Sequence, residues 1–133
     1  MIEIIRTEST DTDFRNLIAE LDHELYDRYG EAQNNLDTHN KIEACDTVII
    51  GSLDNKMVGC GCFKKIDQDT VEIKRMFVRK DYRGQGISKT ILVELETWAQ
   101  EYGFKYVILE TGNKQPEAIG LYEKSGYQQI DNY

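Results

Sequence analysis

The stretch VEIKRMFVRKDYRGQGIS, residues 71–88, decides the fold. Its first part, residues 71–78, is rich in β-branched and aromatic side chains and predicts a strand. The segment RGQGIS, residues 83–88, then leads into an amphipathic helix. Glycines at such a junction leave backbone N–H groups uncovered, and the positive end of a helix dipole attracts anions. The sequence therefore predicts a phosphate-binding turn at residues 83–88.

Basic charge is concentrated around the same turn. Residues 74–89 contain six basic side chains and one acidic residue, Asp81, whereas the rest of the chain has 10 basic and 23 acidic residues. A solvated charge run is the usual explanation of such a cluster, but its coincidence with the glycine turn favours a polyphosphate site. The net charge of −8 argues against a nucleic-acid partner and favours a cationic acceptor.

Length and composition predict one domain over residues 1–133. No apolar run approaches the roughly 20 residues that span a bilayer, and nothing resembles a secretory segment, so we expect a cytoplasmic protein without a membrane partner. The three cysteines, Cys45, Cys60 and Cys62, lack the CxxC spacing of zinc and redox motifs. Alternation puts Cys60 and Cys62 on one strand face, so we expect these two to be buried structural thiols, and we expect no metal.

Hydrophobic periodicity predicts a mixed α/β (α+β) fold with a mostly antiparallel sheet. Residues 31–46 are predicted to form a loop or a short helix. A helical crossover makes the strand at 105–111 parallel to the strand at 70–78. The predicted elements, in order, are a strand at 2–6, a helix from the capping cluster 9–13 to Gly30, strands at 47–53, 57–66 and 70–78, a helix from 87 to Gly103, a strand at 105–111, a short helix between Pro116 and Gly126, and a strand at 127–130.

Two better-known glycine motifs do not match the turn. The dinucleotide fingerprint GxGxxG needs glycine where Lys89 stands, and a P-loop needs glycine where Arg83 and Ser88 stand. The pattern [Q/R]xxGx[G/A] fits residues 83–88 with one departure, Ser88.

This pattern resembles the acetyl-CoA-binding core of the GNAT (Gcn5-related N-acetyltransferase) superfamily. Residues 72–78 resemble its fourth strand, and AIGLYEKSGY, residues 118–127, resembles its LYxxxGF/Y helix and strand. The resemblance covers residues 72–131 and implies helices on both faces of the sheet, with splayed parallel strands 4 and 5. The family's seventh strand is missing, which implies an open sheet edge, a trimmed C terminus, or an edge covered by a second copy in a homodimer.

The resemblance implies that the chain is an N-acetyltransferase. Acetyl-CoA would be the cosubstrate, and a primary amine of a small molecule or peptide would attack it directly in a ternary complex. Tyr122 matches the family's general acid, although a tyrosine can simply pack against the sheet. Glu72 occupies the position of the general base in one branch, where a water relay or a pairing with Lys74 is the alternative. His23 and His39 are expected at the surface.

The resemblance also implies a set of cofactor contacts. Ser88 would add a hydroxyl beside the phosphate, and Asn113 is either a pantetheine contact or a turn residue. The implied cofactor-binding residues are Met76, Phe77, Val78, Arg83, Gly84, Gln85, Gly86, Ile87, Ser88 and Asn113. A non-catalytic acyl-CoA-binding or sensing module is the alternative function, and a nucleotide-phosphate enzyme is disfavoured by both failed motifs. The identity of the amine cannot be read from the sequence.

Overall fold

The computed structural model describes residues 2–29 and 44–109. The element order predicted over these residues is confirmed, with boundaries that differ by one or two residues. Most of the loop or short helix predicted at 31–46, the short helix from Pro116, the strand at 127–130 and the sheet edge at which a seventh strand was expected to be missing lie outside the described residues. The elements are β1 (Glu3–Thr7), α1 (Thr12–Tyr29), β2 (Val48–Leu53), β3 (Lys56–Lys65), β4 (Thr70–Val78), a 3-10 turn (Lys80–Tyr82), α2 (Ile87–Glu101) and β5 (Tyr106–Leu109).

The five strands form one sheet in the order β1-β2-β3-β4-β5. Consecutive strands pair antiparallel up to β4, and β5 pairs parallel to β4. Asp54 and Asn55, with φ of 51° and 67°, make the tight turn between β2 and β3. The predicted mixed, mostly antiparallel sheet is therefore confirmed.

The two helices cover opposite faces of this sheet. The Oδ1 of Asp11 accepts hydrogen bonds from the N–H groups of Asp13 and Phe14 and starts α1. One face of α1 packs Phe14, Leu17, Ile18 and Leu21 against Cys60, Cys62 and Phe77. One face of α2 packs Ile87, Ile91, Leu92, Leu95, Trp98 and Ala99 against the other face of the sheet. Helices on both faces are thus confirmed.

A bulge interrupts β4. Cys60 pairs with Phe77 and Cys62 pairs with Lys74, so Gly61 alone faces two residues of β4, Arg75 and Met76. The φ of Arg75 is 59°, a left-handed conformation that side-chain-bearing residues rarely adopt. The extra residue reverses which way the later side chains point.

The side-chain packing records this reversal. Val71 and Ile73, before the bulge, belong to the core under α2. After the bulge Val78 belongs to that same core, whereas Phe77 packs under α1. Odd-numbered side chains face α2 before the bulge and even-numbered ones after it.

Candidate functional site

The glycine turn lies between β4 and α2 and is open on its outer side. Gly84 and Gly86 have φ of 81° and 79°, which glycine adopts without strain. Gly86 is the N-cap of α2, and no side chain of the described residues caps the helix there. A Cβ atom placed at either glycine would meet no atom of residues 2–29 or 44–109 within 4 Å. Space therefore exists for a ligand to approach the main chain closely.

The turn also presents a run of uncommitted backbone donors. The N–H of Arg83 donates to the carbonyl of Lys80, and the N–H of Thr90 donates to the carbonyl of Gly86. Between them, the N–H groups of residues 84–89 have no acceptor within the part of the chain that the structure describes. These six donors lie at the positive end of the 15-residue helix α2. The arrangement fits a diphosphate group.

The end of β4 continues this donor surface. The N–H of Arg79 donates to the carbonyl of Val58 over 2.8 Å, so the peptide groups of Arg79 and Phe77 face β3. By alternation, the peptide groups of Met76 and Val78 face the opposite edge. On that edge β5 pairs with Thr70–Ile73, up to Leu109, the last residue that the structure describes. The described strands provide no partner for the peptide groups of Met76 and Val78 on that side. This is the kind of edge to which an extended ligand arm adds.

The side chain of Arg83 is occupied by protein groups. Its Nε donates to the carbonyl oxygen of Val78 over 2.8 Å, and its Nη2 lies 2.8 Å from both carboxylate oxygens of Glu24. Its guanidinium carbon lies 5.8 Å from the ring centre of Phe77. The predicted cofactor-binding residues 76–78 and 83–88 are thus brought together, with Arg83 joining the two groups.

Ion pairs with α1 neutralise half of the basic cluster predicted from the sequence. Arg75 pairs with Asp22 at 3.0 Å, and Arg79 and Arg83 pair with Glu20 and Glu24 at 2.8 Å. Lys80 and Lys89 have no ion pair with any residue of the described ranges. The cationic side chains left to attract phosphate are therefore fewer than the sequence indicates, and the backbone donors carry more of the site.

A pocket of about 400 Å³ lies between α1 and the end of β4. Its lining residues are Ala19, Glu20, His23, Glu24, Phe77 and Lys80. Both carboxylates in this wall, those of Glu20 and Glu24, are already paired with arginines. His23 is exposed and lies 3.6 Å from Asp27, as expected for a surface histidine, whereas His39 lies outside the described residues.

Of the two predicted catalytic residues, the structure describes Glu72. Glu72 lies in β4 with a side chain that is 13% exposed, and its Oε1 is 4.0 Å from the Nζ of Lys74. It pairs in register with Lys64 on β3 and Ile108 on β5. Tyr122 and Asn113 lie outside the described residues.

Two of the three cysteines, Cys60 and Cys62, are buried, whereas Cys45 is half-buried. The buried thiols of Cys60 and Cys62 donate to the carbonyls of Arg75 and Lys74, at the bulge. Desolvation raises the pKa of Cys60 well above its usual range. Within residues 2–29 and 44–109 no group of three metal-ligating side chains is present. No helix in these ranges is long and apolar enough to cross a bilayer.

Sequence reasoning missed the bulge and the acidic face of α1. A signal for the bulge exists, because Gly61 is a glycine inside a strand, where a bulge on the partner strand is common. The acidic residues of α1 carry no signal of their own, since their partners lie more than 50 residues away.

The fold and the glycine turn together define an acetyltransferase-type protein. The model of the family described as "Acetyltransferase (GNAT) family" matches residues 9–127. The chain therefore belongs to the GNAT acetyltransferase family.

Curated relatives agree with this assignment. An IAA acetyltransferase from Azospirillum brasilense is 35% identical over 114 residues, which make up 84% of this chain and 74% of that protein. N-acetyltransferase family 8 member 2 from Rattus norvegicus is 36% identical over 63 residues, covering 47% of this chain and 28% of that protein. The latter alignment thus spans less than a third of the longer relative.

Solved structures share the whole fold. A Klebsiella pneumoniae protein, provisionally described as an acyl-CoA N-acyltransferase, matches with a TM-score of 0.77 and 28% identity over 100% of this chain and 89% of its own. A GNAT family acetyltransferase from Elizabethkingia anophelis, crystallised with acetyl-CoA bound, matches with a TM-score of 0.71 and 23% identity over 98% of this chain and 78% of its own.

Proposed function

We propose that this chain transfers the acetyl group of acetyl-CoA to a primary amine of a small molecule or peptide, by direct attack in a ternary complex. The observation that carries the proposal is the run of six backbone N–H groups at residues 84–89 that have no acceptor among the described residues, next to the end of β4. A diphosphate and an extended amide arm are the two parts of coenzyme A that such a surface would bind. The relationship to an IAA acetyltransferase supports the same class of reaction.

The coenzyme would be held mainly by main-chain groups. The N–H groups of residues 84–88 would bind the diphosphate, and the peptide groups of Met76 and Val78 would bind the pantetheine arm. Ser88 would add a hydroxyl beside the phosphates. Asn113 would contact the same arm from beyond β5. The coenzyme would supply an acetyl group activated as a thioester.

The chain must then move two protons. An alkylammonium acceptor with a pKa near 10.4 must lose a proton before it can attack, which costs about 4.6 kcal/mol at pH 7. We assign that proton to Glu72, directly or through a water molecule, because Glu72 is a carboxylate on β4, four residues before Met76, and the resemblance gives this position to the general base. We assign protonation of the departing thiolate to Tyr122, whose hydroxyl is a suitable donor.

The wider setting is part of the proposal. Residues 1–133 would form one acyltransferase domain that acts in the cytoplasm without a metal. The net charge of −8 favours an acceptor that is a cation. A homodimer is part of the same proposal.

A steady-state assay tests the reaction. Purified protein is incubated with acetyl-CoA and a panel of primary amines, and free thiol is measured as acetyl transfer proceeds. Amine-dependent thiol release, with initial-rate lines that intersect when both substrates are varied, is the expected result. Parallel lines would contradict direct attack. Tight acetyl-CoA binding without thiol release across the panel would favour a sensing module instead.

A further inference from the structure

Arg83 joins a backbone group of β4 to a carboxylate of α1. Its guanidinium joins the carbonyl oxygen of Val78, at the end of β4, to the carboxylate of Glu24 on α1, with all three hydrogen bonds at 2.8 Å. The side chain is 30% exposed and lies beside the ring of Phe77. The side chain of Arg83 therefore reaches back to Val78, the last residue of β4.

The neighbouring pair provides a comparison within the same molecule. Arg79 also pairs with a glutamate of α1, and its Nε and Nη2 both donate to Glu20. No hydrogen bond from the Arg79 side chain to the main chain of β4 is present among the residues that the structure describes. Glu20 and Glu24 lie one turn apart on α1. The two pairs thus match in chemistry and differ in whether they hold the backbone.

We propose that Glu24 and Arg83 form a brace that fixes the glycine turn in the shape needed for acyl-CoA. In this role Arg83 positions the backbone donors of residues 84–89 and is not itself a phosphate ligand. The proposal rests on the proposed function. It assigns Glu24, a residue of the first helix, to coenzyme binding through the turn.

The physical basis is the ordering of a flexible segment before the ligand arrives. The segment from residue 79, just after β4, to residue 86 contains two glycines. Without a restraint, this segment would have to be ordered when the coenzyme binds. A charge-assisted hydrogen bond from Arg83 to the carbonyl of Val78 closes the segment on the strand where it begins. The contact of Nη2 with both carboxylate oxygens of Glu24 holds the guanidinium in that orientation.

The brace also determines which backbone group of Val78 is available to a ligand at the edge of β4. Arg83 occupies the carbonyl of Val78, so the N–H of that residue is the group left to face a ligand. Glu24 in turn is neutralised by Arg83, which removes a negative charge close to a site for phosphate. Both effects favour coenzyme binding without direct contact between Arg83 and the coenzyme.

The test compares Glu24→Gln with Glu20→Gln in the full chain by titration calorimetry with acetyl-CoA. If the brace exists, Glu24→Gln weakens acetyl-CoA binding about tenfold, whereas Glu20→Gln changes it less than twofold. In an Arg83→Gln background, Glu24→Gln has no further effect, because the two residues act as one unit. If Arg83 is instead a phosphate ligand, Glu24→Gln frees it and binding stays the same or becomes tighter, which overturns the proposal.

A second measurement separates the brace from the proposed function. Amide hydrogen exchange is followed in coenzyme-free protein, where no catalysis is involved, at the hydrogen-bonded N–H groups of Arg79, Tyr82 and Arg83. Faster exchange in Glu24→Gln than in Glu20→Gln supports the brace, and equal exchange overturns it. Failure of the unmodified protein to bind acetyl-CoA would overturn the proposed function, and the exchange rates would still decide whether the brace orders the turn.

Discussion

The guanidinium of Arg75 lies 3.0 Å from the carboxylate of Asp22, and it reaches that position from a backbone with a left-handed φ of 59°. The bulge at this residue turns Met76 and Phe77 toward faces opposite to those that regular alternation would assign. The ion pair between Arg75 and Asp22 therefore links α1 to the bulge at which the side chains of β4 exchange faces of the sheet.

Replacing Arg75 tests whether the bulge stores backbone strain. Arg75→Gly and Arg75→Ala both remove the ion pair, and they differ in how well they accept a positive φ. We expect the glycine variant to be more stable by about 1 kcal/mol, because only the alanine carries the left-handed penalty. In an ordinary strand the order would be reversed. Urea denaturation measures the difference, and a more stable alanine variant would refute the assigned bulge.

Gly86→Val tests whether the glycine turn binds the diphosphate of the coenzyme. The new side chain would enter the open space beside the turn and lower acetyl-CoA affinity at least about tenfold. Gly103→Val is the matched control, because Gly103 also has a positive φ, of 89°, and open space around it, at the far end of α2. Both variants should lose similar stability. Calorimetry measures the acetyl-CoA affinity, and an undiminished affinity in Gly86→Val would show that the glycine turn is not the phosphate site.

Tyr122→Phe tests the proposed general acid. Loss of the hydroxyl should lower kcat about 100-fold while acetyl-CoA affinity changes less than twofold, because the hydroxyl acts only as the thiolate departs. Tyr102→Phe is the control, since Tyr102 is 62% exposed at the end of α2. Steady-state kinetics gives both values. An unchanged kcat in Tyr122→Phe would remove this tyrosine from the mechanism.

The cysteines should differ sharply in reactivity. Cys45 is half-buried, and a hydrogen bond with Cys62 lowers its pKa to about 6, so it should react as a thiolate at pH 7.5 and more slowly as the pH falls through 6. Burial raises the pKa of Cys60, which should stay protonated and unmodified until the chain unfolds. Iodoacetamide labelling followed by peptide mass measurement gives the order. Equal labelling of Cys45 and Cys60 in native protein would contradict these environments.

Local patterns predicted the elements well. The apolar spacing in residues 87–99 and the alternation in β2 and β3 are properties of neighbouring residues, so they can be read without knowing the fold. The glycines at 84 and 86 likewise predicted a turn with free backbone donors, and the structure places both at positive φ. The bulge at Arg75 was not predicted, because simple alternation assumes that every residue of a strand is paired.

The sequence by itself determined the order of strands and helices and the place of the glycine turn, because both follow from interactions between residues close in the chain. It also determined the mixed sheet, because a short turn makes neighbouring strands antiparallel and a helical crossover makes them parallel. Only the tertiary structure decided where the arginines of the basic cluster point. Arg83 is 59 residues from Glu24, and Arg75 is 53 residues from Asp22. Such pairs form only after α1 has packed on the sheet, and no local pattern specifies which carboxylate an arginine will then meet.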